Sequence, residues 1–355
     1  MSRGTVEQLA RLRAMPAVTI LCPLDSQRPG NPYDPAALTE LRDRAEAQVR
    51  VNLSGRAASS MVSRIDDALS ALDLEHPTRG VAIFVSPDLS RIIPLGSTVD
   101  PEVVVGERFA IRGLLKALQH RPHARVVVLS QGKTRCIDLN GDHAAERLDS
   151  GFPLEVQPPV EADTPHGDFP LDEHEHAEAV KFVFRAVDHA LDALQHRDER
   201  SLVLLGAERD LAFFDEITTQ RSHVVGQLHG DYERQTADAI ADLVQPALDA
   251  HQLEQQQQAC AEAREAIGSR AVNGIVETWT AARAGRGHQL LVEDAFRFTA
   301  RVVDDTIEPA QDNDPGAIDA VEDTVEEVVR HGGDVLVVPG DSLADVGRIA
   351  LVTRY

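Results

Sequence analysis

The strongest constraint on this chain's fold is a series of short apolar runs, Gly80–Val85, Ala124–Ser130, Ser201–Leu205, His288–Val292 and Asp334–Val338, spaced along 355 residues. Each is too short for an ordinary helix, and apolar residues at successive positions suit strands buried on both faces of a sheet. Between the runs lie helical patterns at about Pro35–Val51, Ala57–Leu72, Ile111–His120, Glu173–Gln195, Glu208–Thr218, Tyr232–Ile267 and Ala317–His331. Asp34 followed by Pro35 is an N-cap with an N1 proline. Met61, Ile65, Leu69 and Leu72 share one face of the second pattern. Strand-like stretches at Ala17–Cys22, Arg91–Leu95 and Glu102–Val105, and a hairpin signal at Asn140-Gly141, complete an α/β reading. Domains of 1–122, 123–245 and 246–355 are expected from the order of these parts and the chain length.

Charge narrows the partners. The chain has a net charge of −23, which opposes binding to a polyanion, because that association rests on Lys and Arg meeting phosphates. The charge is uneven. Residues 1–130 hold 16 basic and 14 acidic side chains, so 35 − 16 = 19 basic and 58 − 14 = 44 acidic remain for the rest. RNA contact is therefore expected of the N-terminal part, with Arg42, Arg44, Arg50 and Arg56 as candidates on a helical stretch; an ordinary solvated helix face is the competing reading. Residues 302–329 contain ten acids and no base. That stretch reads as a solubilising face or a docking face for a basic partner.

Three cysteines, Cys22, Cys136 and Cys260, lie more than a hundred residues apart and fit neither a disulfide framework nor a zinc pattern. They read as reduced, partly buried residues. No apolar stretch approaches the roughly 20 residues of a membrane span, and the start of the chain has no signal-peptide pattern, so a cytoplasmic protein without membrane partners is expected. There is no Rossmann fingerprint, hydrolase elbow or kinase signature, and no cofactor is expected. Gly132-Lys133-Thr134 ends like a phosphate loop but has Val127 where the first glycine belongs, so a hairpin turn is the reading.

Val103–Arg112, Ala124–Leu139, Ala271–Gly285, Gln289–Glu293 and the closing run Gly332–Tyr355 together resemble a bacterial branch, subgroup three, of the archaeo-eukaryotic peptide-chain release-factor family, which includes release factor and pelota. The resemblance implies an N-terminal α/β domain, a ribonuclease-H-like middle domain and a C-terminal α/β/α domain. It implies ribosome or tRNA as a partner, with a protein partner at the C-terminal domain. Peptide release in that family uses a Gly-Gly-Gln tripeptide on a middle-domain loop. The corresponding loop here is Gly151–Asp172, whose nearest element is Pro165-His166-Gly167 followed by Asp168.

The expected function is thus a ribosome-associated rescue, stress or hibernation factor that binds by shape without release chemistry. One alternative is a peptidyl-tRNA hydrolase or tRNA nuclease using His166 and Gly167 as substitutes. Another is an acidic protein-binding module with no ribosomal role. Gly287-His288-Gln289 reads as a strand entry, with Gly285 and Gly287 as helix caps, and Gly226-Gln227 as the end of a strand. His174 and His176 are metal candidates only on extended backbone, because residues two apart on a helix diverge by about 200°.

Overall fold

The computed structural model describes residues 3–24, 35–72, 79–119, 122–141, 143–155, 173–311, 314 and 316–354. The N-terminal segment contains α1 (Arg3–Arg11), β1 (Ala17–Pro23), α2 (Pro35–Asn52), α3 (Gly55–Ser70), β2 (Gly80–Val85), β3 (Ser90–Leu95), β4 (Glu102–Gly106) and α4 (Arg112–Gln119). Its strands form an antiparallel sheet in the order β3-β2-β1-β4, with Ile20 opposite Ile83 and Val103. Alternate residues explain why the strands read as apolar throughout. Val18, Ile20, Val81 and Ile83 pack under α2 and α3, against Leu41, Val49, Met61 and Ile65. Ala17, Leu21, Ala82 and Phe84 face the other way, into a core completed by Phe109, Ile111 and Leu114.

The chain continues through β5 (His123–Val128), β6 (Arg135–Asn140), β7 (His143–Glu146), α5 (Glu173–Gln195), β8 (Ser201–Gly206), α6 (Glu208–Ile217) and β9 (Val224–His229). These strands form one sheet in the order β7-β6-β5-β8-β9. The first three make an antiparallel meander, and β8 and β9 run parallel to β5. Val127 and Leu204 face α5 and α6, where Phe184 and Phe214 meet edge-on; Val126, Val203 and Leu205 face Ile240 and Val244. The apolar run of β5 conceals one charge. Arg125 is fully buried, and it donates to Asp138 at 2.8 Å and to Gln195 at 2.8 Å. Such a group survives inside only because its charge is paired.

The helix α7 (Ala237–Ala266) leads to β10 (Ala271–Asn273), α8 (Ile275–Arg283), β11 (Gly287–Glu293), β12 (Thr299–Val303), β13 (Thr306–Pro309), β14 (Ile318–Asp319), α9 (Ala320–Arg330), β15 (Asp334–Val338) and β16 (Ile349–Thr353). A mixed sheet in the order β10-β16-β11-β15 carries Cys260 and Ala263 of α7 on one face. Leu290, Val292 and Leu351 on the other meet Trp279, Val321 and Val325. A small sheet, β13-β12-β14, stands beside it. The stretch between β11 and α9, where the sequence pattern predicts no strand, contains a hairpin, with Asp304 at φ 53° in its turn.

The chain divides into two compact units, Met1–His120 with Glu254–Tyr355, and Arg121–Leu253, the boundary falling inside α7. The first unit joins the two ends of the sequence through one hydrophobic core, in which Val6, Leu9, Phe84 and Phe109 lie with Trp279, Leu290 and Val325. The side-chain amide of Gln119, the last residue of α4, bridges the edge strand β15. It donates to the carbonyl of Val335 at 2.6 Å and accepts from the Val337 N–H at 3.2 Å. An open strand edge is thereby covered.

Candidate functional site

In the Arg121–Leu253 unit, the parallel strands β5, β8 and β9 end side by side, which is where open α/β sheets place ligand crevices. A cleft of about 430 Å³ lies there, lined by Glu208, Asp210, His229, Asp231, Tyr232 and Glu233 among others. Ser130 closes the turn after β5. Its hydroxyl donates to Glu233 Oε1 at 2.5 Å and accepts the Gly132 N–H at 3.2 Å. Gln131 Nε2 donates to Asp210 at 2.7 Å. Arg135 holds the opposite wall, donating to the carbonyls of Glu233 at 3.0 Å and Gln235 at 2.9 Å and to Glu146 at 2.9 Å. That hydrogen bond keeps the Glu146 carboxyl below its ordinary range.

Four carboxylates make the cleft mouth hostile to a phosphodiester. Ser130 is buried and committed to its turn, so the local geometry builds a rigid corner and not an activated nucleophile. Gly132-Lys133-Thr134 lies in the connection from β5 to β6, as read. No group of three metal-ligating side chains occurs among the described residues.

The sequence candidates are scattered. His166 and Gly167 fall outside the described residues. His174 and His176 lie on the helical backbone of α5, two positions apart. Arg42 and Arg50 on α2 are engaged at home. Arg42 meets Asp66 at 2.9 Å, Asp43 at 3.1 Å and also Glu46, while Arg50 meets Glu46 at 2.7 Å. Arg44 on α2 and Arg56 on α3 are exposed and have no ion pair among the described residues. Gly285 caps α8 at φ 69°, as read. Gly287 does not. It begins β11, where a Cβ would come within 3.1 Å of Leu351.

The acidic stretch 302–329 needs a larger correction. Its helical acids do not form a solvated face, because Glu326 and Glu327 are buried and Glu322 and Asp323 half-buried. Arg108 Nη1 lies 2.8 Å from Asp323, 2.9 Å from Glu326 and 3.5 Å from Glu327. The Trp279 indole N–H donates to Asp323 at 2.7 Å. Glu322 accepts from the backbone N–H groups of Ile111 at 2.5 Å and Arg112 at 3.0 Å. These are orphan donors at the start of α4, satisfied here by another helix. The acids of α9 are thus internal partners of Arg108 and α4. No local pattern could have shown this, since the partners lie more than 200 residues away.

Residues 125–286 match the family model of bacterial archaeo-eukaryotic release factor family 3. The family-3 segment begins in β5 and runs through α7 to the end of α8, and it bears out the resemblance read from the sequence. No curated protein matches the chain. Among solved structures, the crystal structure of archaeal translation termination factor aRF1 is 15% identical, covering 100% of this chain and 99% of that chain at a TM-score of 0.26. Archaeoglobus fulgidus Pelota is 17% identical over 78% and 79%, with a TM-score of 0.40. A model of ribosome-bound archaeal Pelota and ABCE1 is 13% identical over 100% and 94%, at 0.41. Likeness at such scores carries no argument about this chain beyond the family match.

Proposed function

We propose that this chain is a translation-factor-like protein that associates with the ribosome by shape, in a rescue, stress or hibernation role, without Gly-Gly-Gln-dependent peptide release. The observation that carries the reading is the family-3 match over residues 125–286, taken with a sequence in which Gly-Gly-Gln does not occur. Release chemistry needs a backbone free to approach the ester and donors placed at the reacting carbonyl. In place of that tripeptide, the sequence ahead of α5 carries Pro165-His166-Gly167-Asp168. No helix among the described residues is long and apolar enough to cross a membrane, and a cytoplasmic location belongs to the same proposal. So does the division into parts at 1–122, 123–245 and 246–355.

Within this reading Arg44 and Arg56 are the N-terminal candidates for RNA contact, because Arg42 and Arg50 are paired with carboxylates of α2 and α3. The inward orientation of the α9 acids weighs against the acidic-module alternative. Purified chain added to ribosomes stalled with peptidyl-tRNA tests the proposal. Association without release of peptide supports it. Release that disappears in His166→Ala would establish the enzymatic alternative in its place.

A further inference from the structure

The sheet β10-β16-β11-β15 ends, on one side, in a row of arginines. Arg270 immediately precedes β10, Arg354 follows β16 and Arg286 precedes β11, so the three stand at the same end of three neighbouring strands. The backbone fixes the row. The Thr353 N–H donates to the Arg270 carbonyl at 2.8 Å, and the Arg354 N–H donates to the Arg286 carbonyl at 3.0 Å. The Arg354 guanidinium is itself positioned, donating to the His331 carbonyl at 2.6 Å. All three are exposed, and none makes an ion pair with a carboxylate among the described residues. In a chain with 58 acidic against 35 basic side chains, three neighbouring arginines left in this state mark a departure.

Nearby cations have local explanations and are set apart. Arg283 ends α8 with its guanidinium 4.6 Å over the Trp279 ring, and Arg330 ends α9 paired to Glu327. Both sit at helix C-termini, where a cation is favoured in any case. Asp334 opens β15 at the outer side of the row.

We propose that Arg270, Arg354 and Arg286 form a binding surface for the phosphodiester backbone of a nucleic acid. Adjacent strands lie about 4.8 Å apart, so the row spans about 10 Å, the length of some three nucleotides of one strand at about 3.4 Å each. Guanidinium forks suit phosphate oxygens in bidentate geometry. Of the glycines in the connections around the row, Gly268 faces open space, and Gly332 lies beside the Arg354 guanidinium. An acidic protein is the weaker fit, because protein interfaces form around an apolar core. None of the exposed large hydrophobic residues, among them Val276 and Val302, belongs to the loops that carry the row. Repulsion from the acidic remainder is confined by a screening length of about 10 Å at moderate salt.

The inference goes beyond the ribosome reading and does not depend on it. The test uses the full chain, a short fluorescent RNA duplex, a DNA duplex of the same sequence and a polyglutamate peptide, with affinity measured by anisotropy across a salt series. Wild type should bind the duplexes more tightly than the peptide. The Arg270→Ala/Arg286→Ala/Arg354→Ala variant should flatten the log-affinity against log-salt slope by about 2 to 3, and Arg286→Ala alone by about 0.9. The triple Lys variant should stay within a few-fold of wild type, and Arg221→Ala should match it. An effect on RNA alone, on DNA alone or on both names the source. Failure of wild type to bind either duplex, an unchanged slope in both Ala variants, or tighter binding of the peptide would overturn the inference. Loss of duplex binding with ribosome association intact sinks this inference only; the converse result sinks only the ribosome reading.

Discussion

Arg108 Nη1 lies 2.8 Å from Asp323 Oδ1, joining the N-terminal segment to α9 across 215 positions of sequence. The contact sits beside the hydrophobic core shared by the two ends of the chain and includes the only tryptophan, Trp279, through the other oxygen of Asp323. The first unit is therefore held by charge as well as by apolar burial.

Removing the guanidinium should expose that dependence. Arg108→Met leaves Asp323, Glu326 and Glu327 facing one another without their common cation. A loss of about 3 kcal/mol is expected, in line with breaking a buried ion pair, and urea denaturation would measure it. A change within a few tenths of a kcal/mol would show that the hub contributes little.

Trp279→Phe keeps most of the apolar volume but removes the indole donor to Asp323. The expected cost is about 2 kcal/mol, the range for leaving a buried acceptor unsatisfied. In wild type the single tryptophan is 1% exposed, so its emission should be blue-shifted and should follow the unfolding of the joined ends. A red, solvent-like emission from native protein would contradict this placement.

Stability of the first unit should fall as pH rises. Burial, with Asp319 and Glu102 nearby, pushes the Glu322 carboxyl up to about 8. Burial and Glu322 push Glu326 up to about 9, despite Arg108. The folded chain then holds protons that the unfolded chain, titrating near 4.5, has released. Raising pH from about 5 to about 9 therefore favours the unfolded state, and the stabilisation is complete only below about 4.5. Denaturation midpoints at several pH values should decline across that window for wild type and decline less for Glu326→Gln. A flat profile would refute the assignment.

Much of this architecture was legible in the sequence. β2, α5 and β15 occupy the ranges read from the apolar runs and helical period, Gly80–Val85, Glu173–Gln195 and Asp334–Val338. Both faces of those strands are covered, so the apolar signal is continuous. The hairpin β12-β13 escaped because its strands are short and largely exposed, leaving Asp304 and Asp305 to dominate the local composition. α1 escaped as well, nine residues with only Val6, Leu9 and Ala10 buried. The acids of α9 were misread for a different reason. Composition reports charge but not direction, and the residues that draw those acids inward come from the other end of the chain.

The site was less legible than the fold. Ion pairing of Arg42 with Asp66 on the next helix cannot be counted from a run of arginines. The alignment of Arg270, Arg354 and Arg286 appears only when three strands distant in sequence are laid side by side.

The central claim is association with the ribosome. Sedimentation of tagged chain with ribosomes from growing and from starved cells, at low and at moderate salt, tests it most directly. The chain should be retained in the ribosome fractions in at least one of these states and stay there at moderate salt. Absence from the ribosome fractions under every condition would contradict it.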